Sequence, residues 1–283
     1  MRVIELIKEM QKTAENYRLQ GKKIAFVPTM GYLHGGHLSL IRLARSLGDI
    51  VIVSVFVNPK QFGPNEDYDR YPRDFERDKK LAYESGADII FYPDAKEMYS
   101  PDFLCYVEVE HISCILEGAF RPMHFRGVCT VVAKLFNIVK PHIAIFGQKD
   151  AQQAFIIKKM VKDLNFDIEI VTAPIVREND GLAMSSRNVY LSESERKNAT
   201  ALYKALQHAE KRIVEGERSV EKIRQEMLKI LESSSPSQID YVAFVDSSTF
   251  QEIDYVNSPE VLVALAVRYG STRLIDNIIV KIS

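Results

Sequence analysis

The sequence lacks the features that would place the chain in a membrane or on a nucleic acid. No window of 18 residues is apolar and free of charge, so no segment is predicted to span a bilayer. Lys and Arg number 37 against 38 Asp and Glu, which gives a formal net charge of −1, and no nucleic-acid partner is expected. The first 20 residues lack the apolar stretch of a signal peptide, which predicts a cytoplasmic location.

Cysteine is scarce, and its pattern excludes two kinds of site. The three residues are Cys105, Cys114 and Cys129, an odd number whose spacing fits neither a zinc site nor a redox pair. We expect all three to be small buried side chains of a protein in a reducing compartment.

What the sequence does contain is an alternation of apolar strands and amphipathic helices. The composition, 46% hydrophobic and 27% charged over 283 residues, is typical of a globular protein with one large and one small domain. Short apolar runs predict strands at residues 24–27, 50–57, 87–92, 143–146 and 168–171. Helical spacing predicts helices at residues 3–20, 38–47, 75–85, 128–139 and 151–164. This order predicts a doubly wound parallel (Rossmann-like) sheet.

The pattern of alternating strands and helices ends in the last third of the chain. Two charged amphipathic helices are predicted at residues 192–214 and 219–231, the first with Ser192 and Glu195 as a capping box. Strands follow at residues 239–245, 261–267 and 278–282. We therefore predict an α/β domain over residues 1–180 and a smaller α+β domain over residues 181–283.

The first candidate site is the glycine-histidine segment at residues 28–37, Pro-Thr-Met-Gly-Tyr-Leu-His-Gly-Gly-His, between a strand and a helix. Its glycines allow a close approach of a ligand, and His34 and His37 can donate hydrogen bonds to phosphate at a helix N-terminus. The spacing fits neither a Walker loop nor a dinucleotide fingerprint, and a zinc site would need a third ligand. The alternative is a glycine turn with two structural histidines.

Four further segments carry polar groups that suit anionic ligands. Asn58 and Gln61 follow the second predicted strand, although an ordinary Asn-Pro turn is the alternative. Arg121 and His124 precede a helix, where a solvated basic turn is the alternative. The other two segments contribute Lys149 and Gln153 after a strand, and Ser185, Ser186 and Arg187 in what could be a polar inter-domain loop.

Position in the sheet brings most of these segments together. Carboxyl ends of parallel strands meet at one edge, so we expect the segments to share a single site. No carboxylate dyad and no Ser-His-Asp arrangement is evident in the sequence. A site of this composition would act by positioning and charge stabilisation, as in phosphoryl or nucleotidyl transfer.

The motifs carry a resemblance. The segment from His34 to His37 resembles the His-x-x-His motif of the nucleotidyltransferase superfamily. All five segments in this order, residues 28–37, 56–62, 121–127, 147–153 and 180–188, resemble the pantothenate synthetase family over about residues 22–191. The sequence departs from the family pattern at Met123 (usually glycine) and Gln148 (usually glutamate), and Tyr32 and Gly35 replace commoner residues.

The resemblance implies that pantoate and β-alanine are joined with ATP through pantoyl adenylate, releasing AMP and pyrophosphate. Mg²⁺ would be carried mainly by the ATP phosphates, without a dedicated protein metal site. Catalytic roles would fall to His34, His37, Lys149 and Arg187, with His37 as the proton donor. Members are usually homodimers whose small C-terminal domain acts as a lid.

The implied ligand contacts fall into two sets. ATP would contact Met30, Gly31, Tyr32, Leu33, His34, Gly35, Gly36, His37, Gly147, Gln148, Lys149, Asp150, Val176, Met184, Ser185, Ser186 and Arg187. The resemblance places pantoate at Gln61 and Gln153, with Gln61 also near β-alanine. Asn58, Arg121 and His124 are further candidates for binding the substrates.

Two alternatives remain open at this stage. A nucleotidyltransferase would leave the nucleotide on its product, whereas a ligase would release free AMP. A regulatory module would bind the nucleotide without turning it over.

Overall fold

The computed structural model describes residues 1–64 and 66–282. The chain forms two compact units: Met1–Gln148 with Gln152–Pro174, here the N-terminal unit, and Lys149–Ala151 with Ile175–Ser283, here the C-terminal unit. The change of unit at residue 175 falls six residues before the predicted boundary. The assignment of binding and lid roles to residues 1–180 and 181–283 stays a prediction.

The N-terminal unit contains six parallel strands. They are β1 (Arg2–Ile4), β2 (Ile24–Thr29), β3 (Ile50–Val55), β4 (Ile89–Phe91), β5 (Ile143–Gly147) and β6 (Glu169–Ala173). The helices between them are α1 (Ile7–Leu19), α2 (Gly35–Leu47), α3 (Phe75–Glu84), α4 (Ala95–Met98), α5 (Glu117–Phe120), α6 (His124–Val139) and α7 (Ala151–Asp163). Their alternation confirms the predicted parallel α/β fold.

The strand order explains where a ligand would be expected. The order across the sheet is β1-β4-β3-β2-β5-β6, so the chain runs one way from β2 to β4 and returns to the other side of β2 with β5. That reversal opens a crevice beyond the carboxyl ends of β2 and β5, which is the usual ligand position in such sheets. Thr29 ends β2 and Gly147 ends β5, so the residues that follow them occupy this edge.

Both faces of the sheet are buried, which is why its strands are continuously apolar. Phe26 and Ile52 pack on one face, in a layer that includes Phe136 of α6. Val27 and Val53 face the opposite side and pack with Ile41 of α2. Successive side chains of a strand point to opposite faces, so a strand covered on both sides needs apolar residues at every position.

The C-terminal unit is built on an antiparallel sheet. Strands β7 (Gln238–Asp246), β8 (Glu260–Tyr269) and β9 (Thr272–Lys281) pair in that order, and helices α8 (Glu193–Asn198), α9 (Ala201–Val214) and α10 (Val220–Glu232) precede them. The predicted capping box is present, since Ser192 Oγ accepts from Glu195 N at 3.4 Å and Glu195 Oε2 accepts from Ser192 N at 2.8 Å. The smaller α+β fold is confirmed.

Three sequence-based boundaries were wrong, each for a local reason. Residues 2–4 form an edge strand and not the start of a helix, because Ile4 pairs with Phe91 in the sheet. The helix predicted over 192–214 is two helices; at the break, Thr200 Oγ1 donates to Lys197 O at 2.9 Å, a local bond that competes with helical bonding. Strand β9 begins at Thr272 and not at residue 278, because buried polar residues interrupt its apolar pattern.

The cysteines also differ from expectation. Cys129, a residue of α6, is buried in the core as predicted, but Cys105 and Cys114 are exposed. Cys105 follows Leu104, which is 87% exposed in a segment without regular structure, and Cys114 ends a short 3₁₀ turn. Apolar neighbours in sequence therefore did not imply burial here. In the described chain, helices long and apolar enough to cross a membrane are absent.

Candidate active site

The loop after β2 places two imidazoles at the start of α2. His34 is the N-cap of the helix, and its Nδ1 accepts from Gly36 N at 3.2 Å. His37 Nδ1 accepts in turn from His34 N at 3.4 Å, which makes a capping box of two histidines with ring centroids 4.1 Å apart. Both Nδ1 atoms accept, so the neutral form of each ring carries its proton on Nε2. The two side chains are thereby donors at the N-terminus of a helix, where anions are favoured.

Asp78 of α3 binds the backbone of the same loop, and the sequence analysis did not identify this residue. Its Oδ2 accepts from Tyr32 N and its Oδ1 from Leu33 N, both at 2.7 Å. The side chain is 1% exposed, and this burial raises its pKa above the ordinary value, against the lowering effect of the two backbone donors. The signal in the sequence was a carboxylate on the apolar face of a helix, between Phe75 and Ala82.

The amides after β3 form a buried pair. Asn58, 1% exposed, donates from Nδ2 to Gln61 Oε1 at 3.0 Å and to Gly127 O at 3.1 Å. Its Oδ1 accepts from Lys60 N and from Tyr99 OH. Gln61 Nε2 contacts the sulfur of Met30 at 3.1 Å, so the loop after β2 and the turn after β3 meet through this side chain. These bonds fix the side chains of Asn58 and Gln61 relative to each other.

The basic turn before α6 joins this pair through a histidine. His124 is 8% exposed; its Nδ1 lies 2.9 Å from Gln61 O and its Nε2 lies 3.1 Å from Arg121 Nη1. Arg121 forms a two-bond ion pair with Glu66, Nε to Oε1 at 3.1 Å and Nη2 to Oε2 at 2.5 Å. A carboxylate of the protein itself therefore already pairs with the guanidinium.

Met123 stands in this turn with a backbone that suits glycine. Its φ is +69° and ψ is −6°, in the left-handed region, and its side chain is 56% exposed. A non-glycine residue is strained there, which gives the physical reason for glycine being the usual residue.

The end of β5 offers open backbone beside the crevice. A Cβ added at Gly147 would meet no atom within 4 Å in the described part of the chain, so a ligand can approach the main chain there. A 3₁₀ turn, Gln148–Asp150, leads into α7. Of the two glutamines that follow, Gln152 is buried and bonds the 112–117 segment, whereas Gln153 is only partly buried.

In the C-terminal unit, the predicted serine-arginine segment is ordered by a hairpin. Met184 N donates to Val176 O at 3.0 Å, which brings together two residues predicted to bind ATP. Ser185 caps a 3₁₀ turn, Ser186–Tyr190, by accepting from Arg187 N at 3.2 Å. The hydroxyl of Ser185 therefore has a structural partner, and Ser186 is 8% exposed.

Lys149 is held in the C-terminal unit by residues that sequence analysis did not single out. Asn277 Nδ2 donates to Lys149 O at 3.0 Å, and Asn277 N donates to Asp276 Oδ1 at 2.8 Å. Asp276 also accepts two bonds from Arg177, at 2.6 and 3.0 Å. Burial raises the pKa of Asp276, and Arg177 opposes that shift. Asp276 and Asn277 lie just before the strand predicted from residue 278, so no sequence pattern indicated that they are buried.

A cavity of about 340 Å³ lies in the N-terminal unit beside the loop after β2. Its lining includes Met30, Gly31 and Asp78, together with Phe75 and Tyr92, whose stacked rings have centroids 4.0 Å apart. It extends along the carboxyl ends of the strands on the β3 and β4 side.

Within the N-terminal unit the structure brings together Met30, Asn58, Gln61, Arg121 and His124 through direct contacts, and His34 with His37. Within the C-terminal unit it brings Val176 to Met184 and Ser185 to Arg187. The chain thus has a parallel sheet with hydrogen-bond donors suited to phosphate beyond the carboxyl ends of its strands. These features place it in the class of α/β proteins that bind ligands at a topological switch point.

Comparison with known proteins narrows this class to one family. The family model described as Pantoate-beta-alanine ligase matches residues 2–279. A curated pantothenate synthetase from Thermotoga petrophila is 58% identical over 279 residues, covering 99% of each chain. One from Caldicellulosiruptor bescii is 58% identical over 281 residues, again with 99% of each chain covered. The chain belongs to the pantoate-beta-alanine ligase family, and it is accordingly a ligase.

Solved structures agree in fold. A pantothenate synthetase from Thermus thermophilus superposes with a TM-score of 0.92 at 44% identity, covering 98% of this chain and 99% of that one. A pantoate-beta-alanine ligase from Francisella tularensis, complexed with beta-gamma ATP and beta-alanine, gives a TM-score of 0.81 at 35% identity, with 98% and 97% covered.

Proposed function

We propose that this chain condenses pantoate with β-alanine to give pantothenate, using ATP and passing through pantoyl adenylate. The observation that carries the proposal is the pair of imidazoles capping α2 beside the switch point of the sheet. Donors at a helix N-terminus suit a nucleotide phosphate, and the 58% identity to pantothenate synthetases supports this particular reaction.

The N-terminal unit supplies the groups for the acid and for part of the nucleotide. His34 and His37 would donate from Nε2 to phosphate oxygens, with His37 as the proton donor. Tyr32 and Leu33 give their backbone N–H groups to Asp78, so their predicted contacts with ATP would use other atoms. We assign Gln61 and Gln153 to pantoate, with Gln61 also near β-alanine.

The supporting residues around Gln61 have a different role. Asn58 and His124 both bond this residue, one to its side chain and one to its backbone carbonyl. Arg121 supports His124 while paired with Glu66. We propose that these three residues hold Gln61 in place, and that their direct contact with substrate is secondary.

Further nucleotide contacts come from the β5 end and the C-terminal unit. Gly147 leaves its backbone open, and Gln148, Lys149 and Asp150 follow it directly. Lys149 and Arg187 would stabilise negative charge on the transferring phosphate. The hairpin residues Val176, Met184, Ser185 and Ser186 would contact the nucleotide. We also propose that the C-terminal unit acts as a lid.

The reaction proceeds in two displacements that these groups can serve. A carboxylate oxygen of pantoate attacks the α-phosphorus, the bond to the bridging oxygen breaks, and pyrophosphate leaves. The neutral amine of β-alanine then attacks the acyl carbon, the bond between that carbon and the phosphate oxygen breaks to release AMP, and the nitrogen loses one proton to the solvent. A carboxylate nucleophile needs no general base, so the work left for the protein in the first step is orientation and charge stabilisation.

Mg²⁺ is expected to reach the site on the ATP phosphates. Over residues 1–64 and 66–282, no three His, Cys, Asp or Glu side chains are grouped so that they could hold a metal ion. We assign no protein residue to the metal. A cytoplasmic location and a homodimeric state likewise stay predictions from the sequence.

A product assay with isotope exchange tests the function. Purified chain with ATP, Mg²⁺, pantoate and β-alanine should form equal amounts of AMP and pantothenate. Exchange of labelled pyrophosphate into ATP should require pantoate and proceed without β-alanine. Exchange without pantoate would contradict the substrate assignment. A stable nucleotide-linked product would indicate a nucleotidyltransferase, and binding of ATP without any exchange would indicate a regulatory module.

A further inference from the structure

The carboxylate of Asp78 binds the backbone N–H groups of the glycine-histidine loop. Its two oxygens accept from the consecutive N–H groups of Tyr32 and Leu33, each at 2.7 Å. Hydrogen bonds to an ionised acceptor are short and strong, and here both oxygens are used. The contact joins residues 45 and 46 positions apart in sequence and lies directly before His34.

The backbone conformation shows why an anion fits there. Gly31 has φ +81° and Tyr32 has φ +50°, two successive residues in the left-handed region. Successive N–H groups of a turn can point to one side and form a concave anion site, which a phosphate or another anion can fill. In this chain a carboxylate of the protein occupies that position.

The fit is close on every side. A Cβ at Gly31 would lie 2.9 Å from Asp78 Oδ2 and 2.9 Å from Val55 Cγ1, so no other residue is accommodated without a shift. Arg77, the neighbour of Asp78 on α3, places its guanidinium over the ring of Tyr32, 5.0 Å from the ring centroid. Thr29 Oγ1 accepts from Gly31 N at 3.1 Å and anchors the start of the turn to β2.

We propose that Asp78 is a positioning residue of the ligase, acting through the loop on His34 and His37. It holds Tyr32 and Leu33 in a conformation that would otherwise relax, and thereby sets the direction in which the chain enters α2. The role rests on the proposed function, because His34 and His37 are the groups assigned to the phosphate. Asp78 is only 1% exposed, and we assign it no direct contact with the substrates.

The Asp78→Asn variant removes this contact with little change of volume. Asparagine keeps one acceptor oxygen but presents an N–H group to one of the two backbone donors, so one hydrogen bond is lost and a repulsion replaces it. The control is Asp74→Asn on the same helix, which also removes one negative charge. Asp74 is exposed and caps α3 by accepting from Arg77 N at 3.1 Å, a role that asparagine also fills.

The kinetic test separates positioning from folding. For Asp78→Asn, we expect kcat and pantoate-dependent pyrophosphate exchange per folded molecule to fall at least about 10-fold, with the KM for β-alanine changed less than about 2-fold. Asp74→Asn should retain wild-type values. Activity lost only in proportion to the folded fraction would overturn the proposal, as would an unchanged kcat. Wild-type protein that forms no AMP would instead refute the proposed function.

Amide hydrogen exchange on the unmodified chain gives a test that does not depend on the variant folding. The amides of Tyr32 and Leu33 should be protected in the wild type without any substrate, because their partner is part of the protein. In folded Asp78→Asn, their exchange should be at least about 10-fold faster. Wild-type amides that exchange as fast as those of an exposed loop would rule out this contact.

Discussion

Arg177 and Asp276 form a buried ion pair through two parallel hydrogen bonds. Nη1 lies 2.6 Å from Oδ2 and Nη2 lies 3.0 Å from Oδ1, and the carboxylate side chain is 1% exposed. The pair connects the 176–184 hairpin to β9, from which Asn277 holds the carbonyl of Lys149. The position of Lys149, a proposed catalytic residue, therefore depends on a cluster that binds its backbone carbonyl.

Truncating the buried carboxylate should strongly destabilise the C-terminal unit. Asp276→Ala leaves Arg177 without its partner, and removing one member of a buried pair costs about 3–5 kcal/mol. The matched control is Asp180→Ala, which breaks another two-bond ion pair, between Asp180 and Arg196. The side chain of Asp180 is 46% exposed and that of Arg196 is 30% exposed. That change should cost less than about 1 kcal/mol. Urea unfolding measures both, and equal losses would contradict the importance of burial.

His37→Ala and Lys149→Ala should each lower kcat by about 10²-fold or more. Each change removes one donor that stabilises charge on the transferring phosphate, and this is the usual scale for such a loss. Lys159→Ala is the control, because this lysine forms an exposed pair with Asp163 on α7. Steady-state rates of AMP formation provide the measurement. If both variants kept the wild-type kcat, the roles assigned to them would be refuted.

Gly127→Ala should weaken binding of the acid substrate. A Cβ at this position would lie 2.2 Å from Lys60 O and 2.7 Å from Gln61 Cα, so the turn carrying Gln61 must move. We expect the KM for pantoate to rise at least about 10-fold, the scale for losing an oriented hydrogen bond in a site. Gly63→Ala, where the nearest atom would be 3.7 Å away, should leave it unchanged. A similar KM in both variants would argue against the role of Gln61.

Met123→Gly should stabilise the protein, by up to about 1.5 kcal/mol. Relief of the left-handed strain gains roughly 1–2 kcal/mol, whereas the greater freedom of glycine in the unfolded chain costs roughly 0.5–1 kcal/mol. Leu104→Gly provides a comparison: this exposed residue is not among those with positive φ, so only the cost should remain. Thermal unfolding of the three proteins checks the sign. A lower Tm for Met123→Gly would show that the side chain contributes packing.

Acid should destabilise the C-terminal unit partly through Asp246. Hydrogen bonds from the Ser248 and Ser258 hydroxyls, and from the backbone of Thr249 and Ser248, hold the pKa of this carboxyl well below its ordinary value of 3.8. A carboxyl with a lowered folded-state pKa stabilises the fold above the unfolded value, and that stability is lost as the pH falls further.

The stability gap between wild type and Asp246→Asn gives the readout for this effect. It should be widest near pH 7 and should narrow progressively below about pH 4, where the unfolded chain begins to bind the proton that the folded chain resists. Urea unfolding at pH 7, 4 and 3 measures the gap. A gap that stayed constant over this range would mean that the charge of Asp246 contributes nothing.

The parallel sheet could be predicted because burial on both faces leaves a simple pattern. Strands β2 and β3 are apolar at nearly every position, and their short length and β-branched residues favour strands over helices. Strand β1 was missed for the opposite reason: three residues at an edge are too few to show a period, and Ile4 also fits a helical stripe. The strand order, with its reversal beside β2, depends on pairing between segments that are distant in sequence. The sequence of a single segment therefore does not predict it.

The candidate site was predictable where chemistry and position coincide in sequence. His34 and His37 stand out because they follow a strand directly. Asp78 and Asp276 do not, since each acts on a segment at least 45 residues away in the chain. The role of a buried carboxylate depends on the group that it pairs with. The local sequence shows a charged residue on an apolar face, but it does not show that partner.

The unequal exposure of the thiols has a practical consequence. Cys129 is sealed in the core, and burial raises its pKa to about 12, so it stays protonated and unreactive at neutral pH. Cys105 and Cys114 lie on the surface of the N-terminal unit. A maleimide fluorophore would therefore attach to these two residues of the natural sequence, and replacing either one by serine leaves a single attachment point for a spectroscopic reporter.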